Sequence, residues 1–118
     1  MQPRLTRGVL DVLQPSASSM PDLHVIATMV SREGKADALR DALEAATRAF
    51  RQEDGCLSYA LLEDQNRPGR FMTFERWRDR AALDAHMQSP AMDDLAPRIP
   101  ELLAEALKQD VLDARLLL

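Results

Sequence analysis

The strongest candidates for catalytic and ligand-binding side chains lie between residues 71 and 87. His86 falls on the same helical stripe as Ala82, Leu83 and Met87, so a titratable ring is predicted on an apolar, buried face. A histidine with an unperturbed pKa of about 6.5 suits acid–base chemistry near neutrality. We therefore predict that His86 is a general base or a hydrogen-bond donor. The alternative is a core histidine bonded to a backbone carbonyl.

Five further residues are candidates for binding a small molecule. Alternation along one predicted strand places four of them on a single face: Phe71, Thr73, Glu75 and Trp77. Tyr59, the only tyrosine, could bind a substrate oxygen through its hydroxyl or lie at the sheet margin. Trp77 could wall a pocket or pack in the core. Glu75 could orient a donor, although a simple ion pair with an arginine is the more common use of such a residue.

Composition excludes several classes of function. The chain has two histidines and one cysteine, Cys56, and His24 has no partner at metal-ligand spacing, so no metal site is predicted. Cys56 is predicted to be a small apolar residue rather than a nucleophile. A net charge of −4 without a basic stripe argues against nucleic acid as a partner. No apolar run is long enough to cross a membrane, and the single cysteine suits a cytoplasmic protein.

The elements that must position these residues follow from periodicity and turn chemistry. Strands are predicted at 23–31, 56–63, 70–77 and 111–117, and helices at 35–52, 79–88, 91–95 and 101–108. This order is the ferredoxin-like βαββαβ arrangement, an α+β fold with a four-stranded antiparallel sheet and helices on one face. Because Met72 and Phe74 lie on the other face, a second copy is expected to cover it, giving a homodimer.

The N-terminal residues differ in composition from the rest of the chain. Residues 1–20 combine a short basic and aliphatic piece with the linker-like QPSASS. We expect a flexible arm there, or a translation start at Met20. Residues 21–118 are expected to form one folded domain.

Three motifs together resemble the antibiotic biosynthesis monooxygenase (ABM) family of dimeric α+β barrels. Gly55-Cys56 opens the second strand, Glu75-x-Trp77 closes the third, and His86 follows that tryptophan by nine residues. The similarity extends over residues 23–117. The family includes oxygenases of polyketide quinols, quinol monooxygenases, haem-degrading enzymes and an isomerase of a sugar phosphate.

The resemblance implies a monooxygenase without metal or flavin that oxidises a quinol or related phenolic aromatic with dioxygen. It leaves two alternatives, an isomerase of a small carbonyl compound and a non-catalytic ligand-binding homodimer. Two departures from the family's residues bear on the reaction. The haem-degrading branch has an asparagine on the first strand, whereas the only asparagine here is Asn66, so haem degradation is disfavoured. Many relatives also carry a second histidine where this chain has Ala91.

Overall fold

The computed structural model describes residues 22–117. They form strands β1 to β4 and helices α1 to α4, with a turn of 3-10 helix at Ala96–Arg98. In chain order the elements are β1 (Leu23–Val30), α1 (Ala36–Phe50), β2 (Cys56–Glu63), β3 (Arg70–Trp77), α2 (Arg80–Met87), α3 (Pro90–Leu95), α4 (Ile99–Leu102) and β4 (Lys108–Asp113). The predicted arm and the predicted start at Met20 lie outside the described residues.

The four strands form one antiparallel sheet in the order β2-β3-β1-β4. Leu23 of β1 lies opposite Trp77 of β3 on one side and Asp113 of β4 on the other. This topology confirms the predicted ferredoxin-like α+β fold. Within one chain the sheet is open and does not close into a barrel.

The two faces of the sheet differ in burial as the alternation predicts. Along β3 the buried residues are Phe71, Thr73, Glu75 and Trp77, and they face the helices. The opposite face keeps large apolar side chains in contact with solvent, since Phe74 is 48% exposed, Leu62 46% and Leu112 43%. The interior of this chain therefore lies on one side of the sheet.

Helix α1 covers that inner face because its apolar residues recur at helical spacing. Five of its side chains are buried: Leu39, Ala42, Leu43, Ala46 and Phe50. Gly55 follows with φ of +85°. A Cβ at Gly55 would lie 2.5 Å from the Ala82 Cβ, so glycine lets the start of β2 approach α2 closely.

Two side-chain caps begin the helices that follow β3. The Asp79 carboxylate accepts a hydrogen bond from the Ala82 N–H at 2.9 Å, as predicted for the start of α2. The Ser89 hydroxyl accepts from the Met92 N–H at 3.2 Å, and Pro90 occupies the first position of α3. His86 and Met92 are thereby placed on two consecutive helices.

The predictions for the C-terminal part were wrong in their boundaries. The helix expected at 101–108 is α4, which ends at Leu102, because Leu103 turns extended and pairs with Ser31. The Ala104 N–H then donates to the Val30 carbonyl at 2.8 Å. The strand expected at 111–117 runs from Lys108 to Asp113, since these residues pair with β1 from Leu23 to Thr28. Polar residues are tolerated there because β4 is an edge strand.

In the part of the chain that the structure describes, no helix is long and apolar enough to cross a membrane.

Candidate active site

A cavity of about 240 Å³ lies between the inner face of the sheet and the helices. All four strands and helices α1 to α4 contribute to it, and most of its wall is apolar. Its lining residues are Ala27, Met29, Leu43, Thr47, Phe50, Tyr59, Thr73, Glu75, His86, Met87, Met92, Leu95, Ala96, Ile99, Leu107 and Gln109. Met87 and Leu107 are exposed as well as lining, so they mark the mouth of the cavity.

His86 lies among aromatic side chains in the cavity wall and is 3% exposed. The imidazole stacks on Trp77 with ring centroids 4.4 Å apart and an interplanar angle of 28°, and it meets the edge of Phe50 at 4.5 Å. The two aromatic rings therefore fix the plane of the imidazole.

Glu53 holds the imidazole through its Nδ1 atom. The Glu53 Oε1 atom lies 2.9 Å from His86 Nδ1. A carboxylate can only accept there, so this contact favours the tautomer with its proton on Nδ1 and a lone pair on Nε2. That is the tautomer a general base needs. The carbonyl-bonded core histidine considered from the sequence is therefore replaced by a carboxylate–histidine pair.

The sequence reasoning missed Glu53. It lies in the turn after α1, where its N–H donates to the Phe50 carbonyl at 3.1 Å and its carbonyl accepts from Cys56 at 3.1 Å. Helical periodicity has ended at that point, so no pattern in the sequence indicates which way the side chain faces. Only the packing of α2 against this turn brings Glu53 to His86.

Glu75 belongs to a buried hydrogen-bond chain, and the predicted ion pair with an arginine is wrong. Its Oε1 accepts from Trp77 Nε1 at 2.8 Å, and its Oε2 accepts from Thr73 Oγ1 at 2.6 Å. The Thr73 oxygen in turn accepts from the Ala27 N–H at 3.1 Å. Glu75 is 4% exposed, and burial of the inner sheet face explains why neutral donors, not a charged surface residue, satisfy it.

Tyr59 contributes a hydroxyl to the same wall. Its ring lies 5.5 Å from Phe50 and 6.3 Å from His86 between centroids. Burial, and after it the charge of Glu75, raises the pKa of Tyr59 well above its usual range. The phenol therefore keeps its proton, and Thr73 and Glu75 are the polar side chains that its hydroxyl meets in this wall.

The structure separates the predicted site residues into two groups. His86, Tyr59, Thr73 and Glu75 meet at the cavity. Trp77 and Phe71, predicted as pocket lining, are 0% and 1% exposed and lie in the core behind the wall. Trp77 contacts two cavity residues from behind, His86 by stacking and Glu75 through its indole N–H. Phe71 packs into the main core with α1.

The remaining candidates lie away from this cavity. His24 is on the outer sheet face, opposite Arg76 in the register with β3. Burial raises the pKa of the Cys56 thiol, which opposes a thiolate nucleophile. Ala91 packs at the margin of the main core rather than on the cavity. Among residues 22–117 no group of three potential ligands could hold a metal ion.

The amino-acid sequence matches a known protein family and individual relatives. Residues 22–98 match the family model described as Antibiotic biosynthesis monooxygenase. The Mycobacterium tuberculosis protein Rv0793, a proposed monooxygenase, is 40% identical over 75% of this chain and 86% of its own length. An uncharacterised Synechocystis protein, sll1783, is 46% identical over 47% of this chain, and the match spans 37% of that protein.

Solved structures agree in fold over most of the described residues. PA3566 from Pseudomonas aeruginosa superimposes with a TM-score of 0.77 at 34% identity, covering 80% of this chain and 95% of that one. Rv0793 gives a TM-score of 0.74 at 39% identity, covering 80% and 95%. A Deinococcus radiodurans protein described as a proposed antibiotic biosynthesis monooxygenase gives a TM-score of 0.75 at 29% identity, covering 81% of this chain and 95% of that one.

Proposed function

This chain belongs to the antibiotic biosynthesis monooxygenase family, and from that premise we propose that it is a cofactor-independent monooxygenase of a quinol or related phenolic aromatic. The observation that carries the proposal is His86, a buried base candidate in the wall of an apolar cavity and held by a carboxylate. Such a site favours a planar aromatic substrate with an ionisable hydroxyl.

The size of the cavity supports a small substrate. A dry protein cavity of roughly 150 Å³ can hold benzene. At about 240 Å³ this cavity has room for one ring or two fused rings. A substrate of three or four fused rings would need the wall to open, so a monocyclic or bicyclic quinol is the better fit.

The proposed chemistry begins with removal of a proton from the quinol hydroxyl by His86 Nε2. The quinolate is electron-rich and supplies the electrons that reduce dioxygen. One oxygen atom becomes bonded to the ring, the other leaves as water, and the quinol is oxidised to a hydroxylated quinone. Tyr59 supports this step as a donor to the substrate oxygen, and the apolar wall strengthens that hydrogen bond by excluding water.

Oxygen uptake with a bicyclic naphthoquinol tests the proposal. We expect oxygen uptake above the uncatalysed rate with the protein, and no oxidation of the quinol under anaerobic conditions. His86→Gln should lower turnover by roughly 10² if His86 is the general base. The control is Glu44→Gln on the exposed side of α1, away from the cavity and from the outer sheet face. Circular dichroism confirms that each variant is folded.

Three outcomes separate the candidate functions. No uptake above background by the wild-type protein refutes the monooxygenase. Full turnover by His86→Gln refutes the role of His86 as general base but not the monooxygenase reaction. Thermal stabilisation by the naphthoquinol without turnover would favour a ligand-binding protein, and turnover of a small carbonyl compound without dioxygen would favour the isomerase.

We propose that the outer sheet face binds a second copy of the chain. Its centre is apolar, with Phe74, Leu62 and Leu112 each more than two-fifths exposed. The charged residues on this face, such as Arg76 and Asp110, already have partners within the chain, Asp22 and Lys108, so the apolar centre is the part left without a partner. Sedimentation at micromolar concentration should give a dimer, and Phe74→Asp a folded monomer. A monomeric wild-type protein would refute the proposal.

We also propose that the protein is cytoplasmic, because a chain with a single cysteine cannot form an internal disulfide in an oxidising compartment. Fractionation of the source cells, with the protein detected by antibody, tests this. Recovery outside the cytoplasm would contradict it.

A further inference from the structure

His86 separates two cavities of different character. The inner one is the apolar cavity already described. The second, which we call the outer pocket, measures about 420 Å³ and has polar lining residues that include Glu53, Asp54, Arg78 and Gln88. His86 lines both, whereas Glu53 lines the outer pocket. The imidazole therefore has one side toward the proposed substrate and the other toward the surface.

Glu53 links the imidazole to the outer pocket. One carboxylate oxygen, Oε1, lies 2.9 Å from His86 Nδ1. The other, Oε2, is buried and has no hydrogen-bond partner among the described residues. The side chain as a whole is 18% exposed. A carboxylate that is bound to a ring nitrogen through one oxygen, keeps the other oxygen buried and unpartnered, and belongs to a side chain lining the outer pocket is placed to take up a proton and pass it on.

The other titratable groups near His86 are already committed elsewhere. On the sheet side, both oxygens of Glu75 accept hydrogen bonds, from Trp77 and Thr73. Tyr59 keeps its proton because burial raises its pKa. On the surface side, Arg78 and Asp54 face one another at 3.5 Å and are open to solvent. Glu53 is thus the titratable group in direct hydrogen-bond contact with the ring.

An aromatic substrate that fills the inner cavity blocks the direct way from His86 to water on that side. We propose that Glu53 carries protons between His86 and solvent in the outer pocket, a role that rests on the proposed function. The substrate hydroxyl gives its proton to Nε2, and Nδ1–H gives its proton to Glu53 Oε1. The resulting carboxylic acid then releases a proton to water. No electrons move, and the reverse sequence returns a proton when reduced oxygen requires one.

The variant Glu53→Gln distinguishes carrying a proton from positioning the ring. Its amide oxygen can still accept from Nδ1–H, but the amide cannot take up and release a proton. We expect turnover of the naphthoquinol to fall by roughly tenfold or more, with KM unchanged. At constant ionic strength, added imidazole or formate should restore turnover in proportion to its concentration, because the outer pocket admits small buffers. Wild-type protein and Glu44→Gln, on the exposed side of α1, should not respond.

Full turnover by Glu53→Gln would overturn the proposal. Reduced turnover that no buffer restores would also overturn it, because that result indicates positioning alone.

A second measurement does not depend on turnover. Nitrogen-15 NMR with selective water excitation gives the exchange rate of the His86 ring N–H with solvent. We expect exchange to be roughly tenfold slower in Glu53→Gln than in the wild-type protein. If the wild-type protein does not oxidise the quinol but this difference is present, the proposed reaction fails and the proton route stands. Equal exchange rates would refute the route whatever the activity.

Discussion

Replacing Glu75 by leucine should remove the central acceptor of the buried hydrogen-bond chain in the cavity wall. Glu75 accepts from the Trp77 indole N–H at 2.8 Å and from the Thr73 hydroxyl at 2.6 Å. Leucine leaves both donors buried, since Trp77 is 0% and Thr73 2% exposed. Trp77 lies in the core and Thr73 borders a cavity whose wall is mostly apolar, so we expect a large loss of stability.

The magnitude follows from the number of donors left without a partner. Each buried, unsatisfied donor costs about 1–3 kcal/mol, so Glu75→Leu should lower the free energy of unfolding by about 2–6 kcal/mol. Glu75→Gln keeps one oxygen for Trp77 and turns its amide nitrogen toward the Thr73 oxygen. It loses the strength of a charged acceptor, about 1 kcal/mol per bond, and therefore about 2 kcal/mol in total.

Urea denaturation measures both variants. Far-ultraviolet circular dichroism follows the sheet and helices, and the fluorescence of Trp77, the only tryptophan, follows the site itself. Glu44→Gln is the matched control, because Glu44 is exposed on α1 and should change stability by no more than about 0.5 kcal/mol. In the folded state, Trp77 emission should change in Glu75→Leu and stay unchanged in the control.

The reasoning fails if Glu75→Leu and Glu44→Gln unfold at the same urea concentration with the same slope. That result would mean that Glu75 contributes nothing to holding Trp77, and that its burial has to be explained by the reaction instead. A loss of activity at unchanged stability would point in the same direction.

Two further predictions concern pH and the backbone. The Arg40 guanidinium holds the pKa of Glu63 at about 2, so the stability from this pair is present above the ordinary value of 4.5 and is lost as pH falls towards 2. Glu63→Gln should flatten that decline in urea unfolding at successive pH values, and an unchanged decline would contradict it. Gly55→Ala should cost about 2–5 kcal/mol, because it combines φ of +85° with a contact of 2.5 Å to Ala82. Gly34→Ala, with φ of +79° and open space around it, should cost about 1–2 kcal/mol, and equal losses in thermal unfolding would refute the clash.

The sequence predicted the fold best where hydrophobic period and turn chemistry agree. The boundaries of β2 and β3 match the prediction residue for residue, because Gly55 and the loop 64–69 mark their ends. The C-terminal part was harder to predict. Glu101 to Lys108 have good helical composition, but Leu102 and Leu103 are both buried and the second pairs with Ser31. Tertiary pairing overrode local propensity there.

The site shows what periodicity cannot supply. His86 was identified because a titratable residue fell on an apolar stripe, and Thr73 and Glu75 because they share a strand face. The orientation of Glu53 depends on a turn, where neither period applies. Trp77 lies behind His86 rather than beside the cavity because of how α2 packs on the sheet. No pattern in a single sequence contains that packing.

The central position of β1 sets the order in which this sheet can assemble. β2 and β3 are neighbours in sequence and can pair as a hairpin through a short loop. β1 has no partner nearby in the chain: Leu23 must wait for Trp77 on one side and Asp113 on the other. Because such distant pairing slows folding, we expect this domain to fold in milliseconds to seconds rather than microseconds. During synthesis β1 is made before any of its partners, and both its edges stay open to other chains until β3 and β4 have followed.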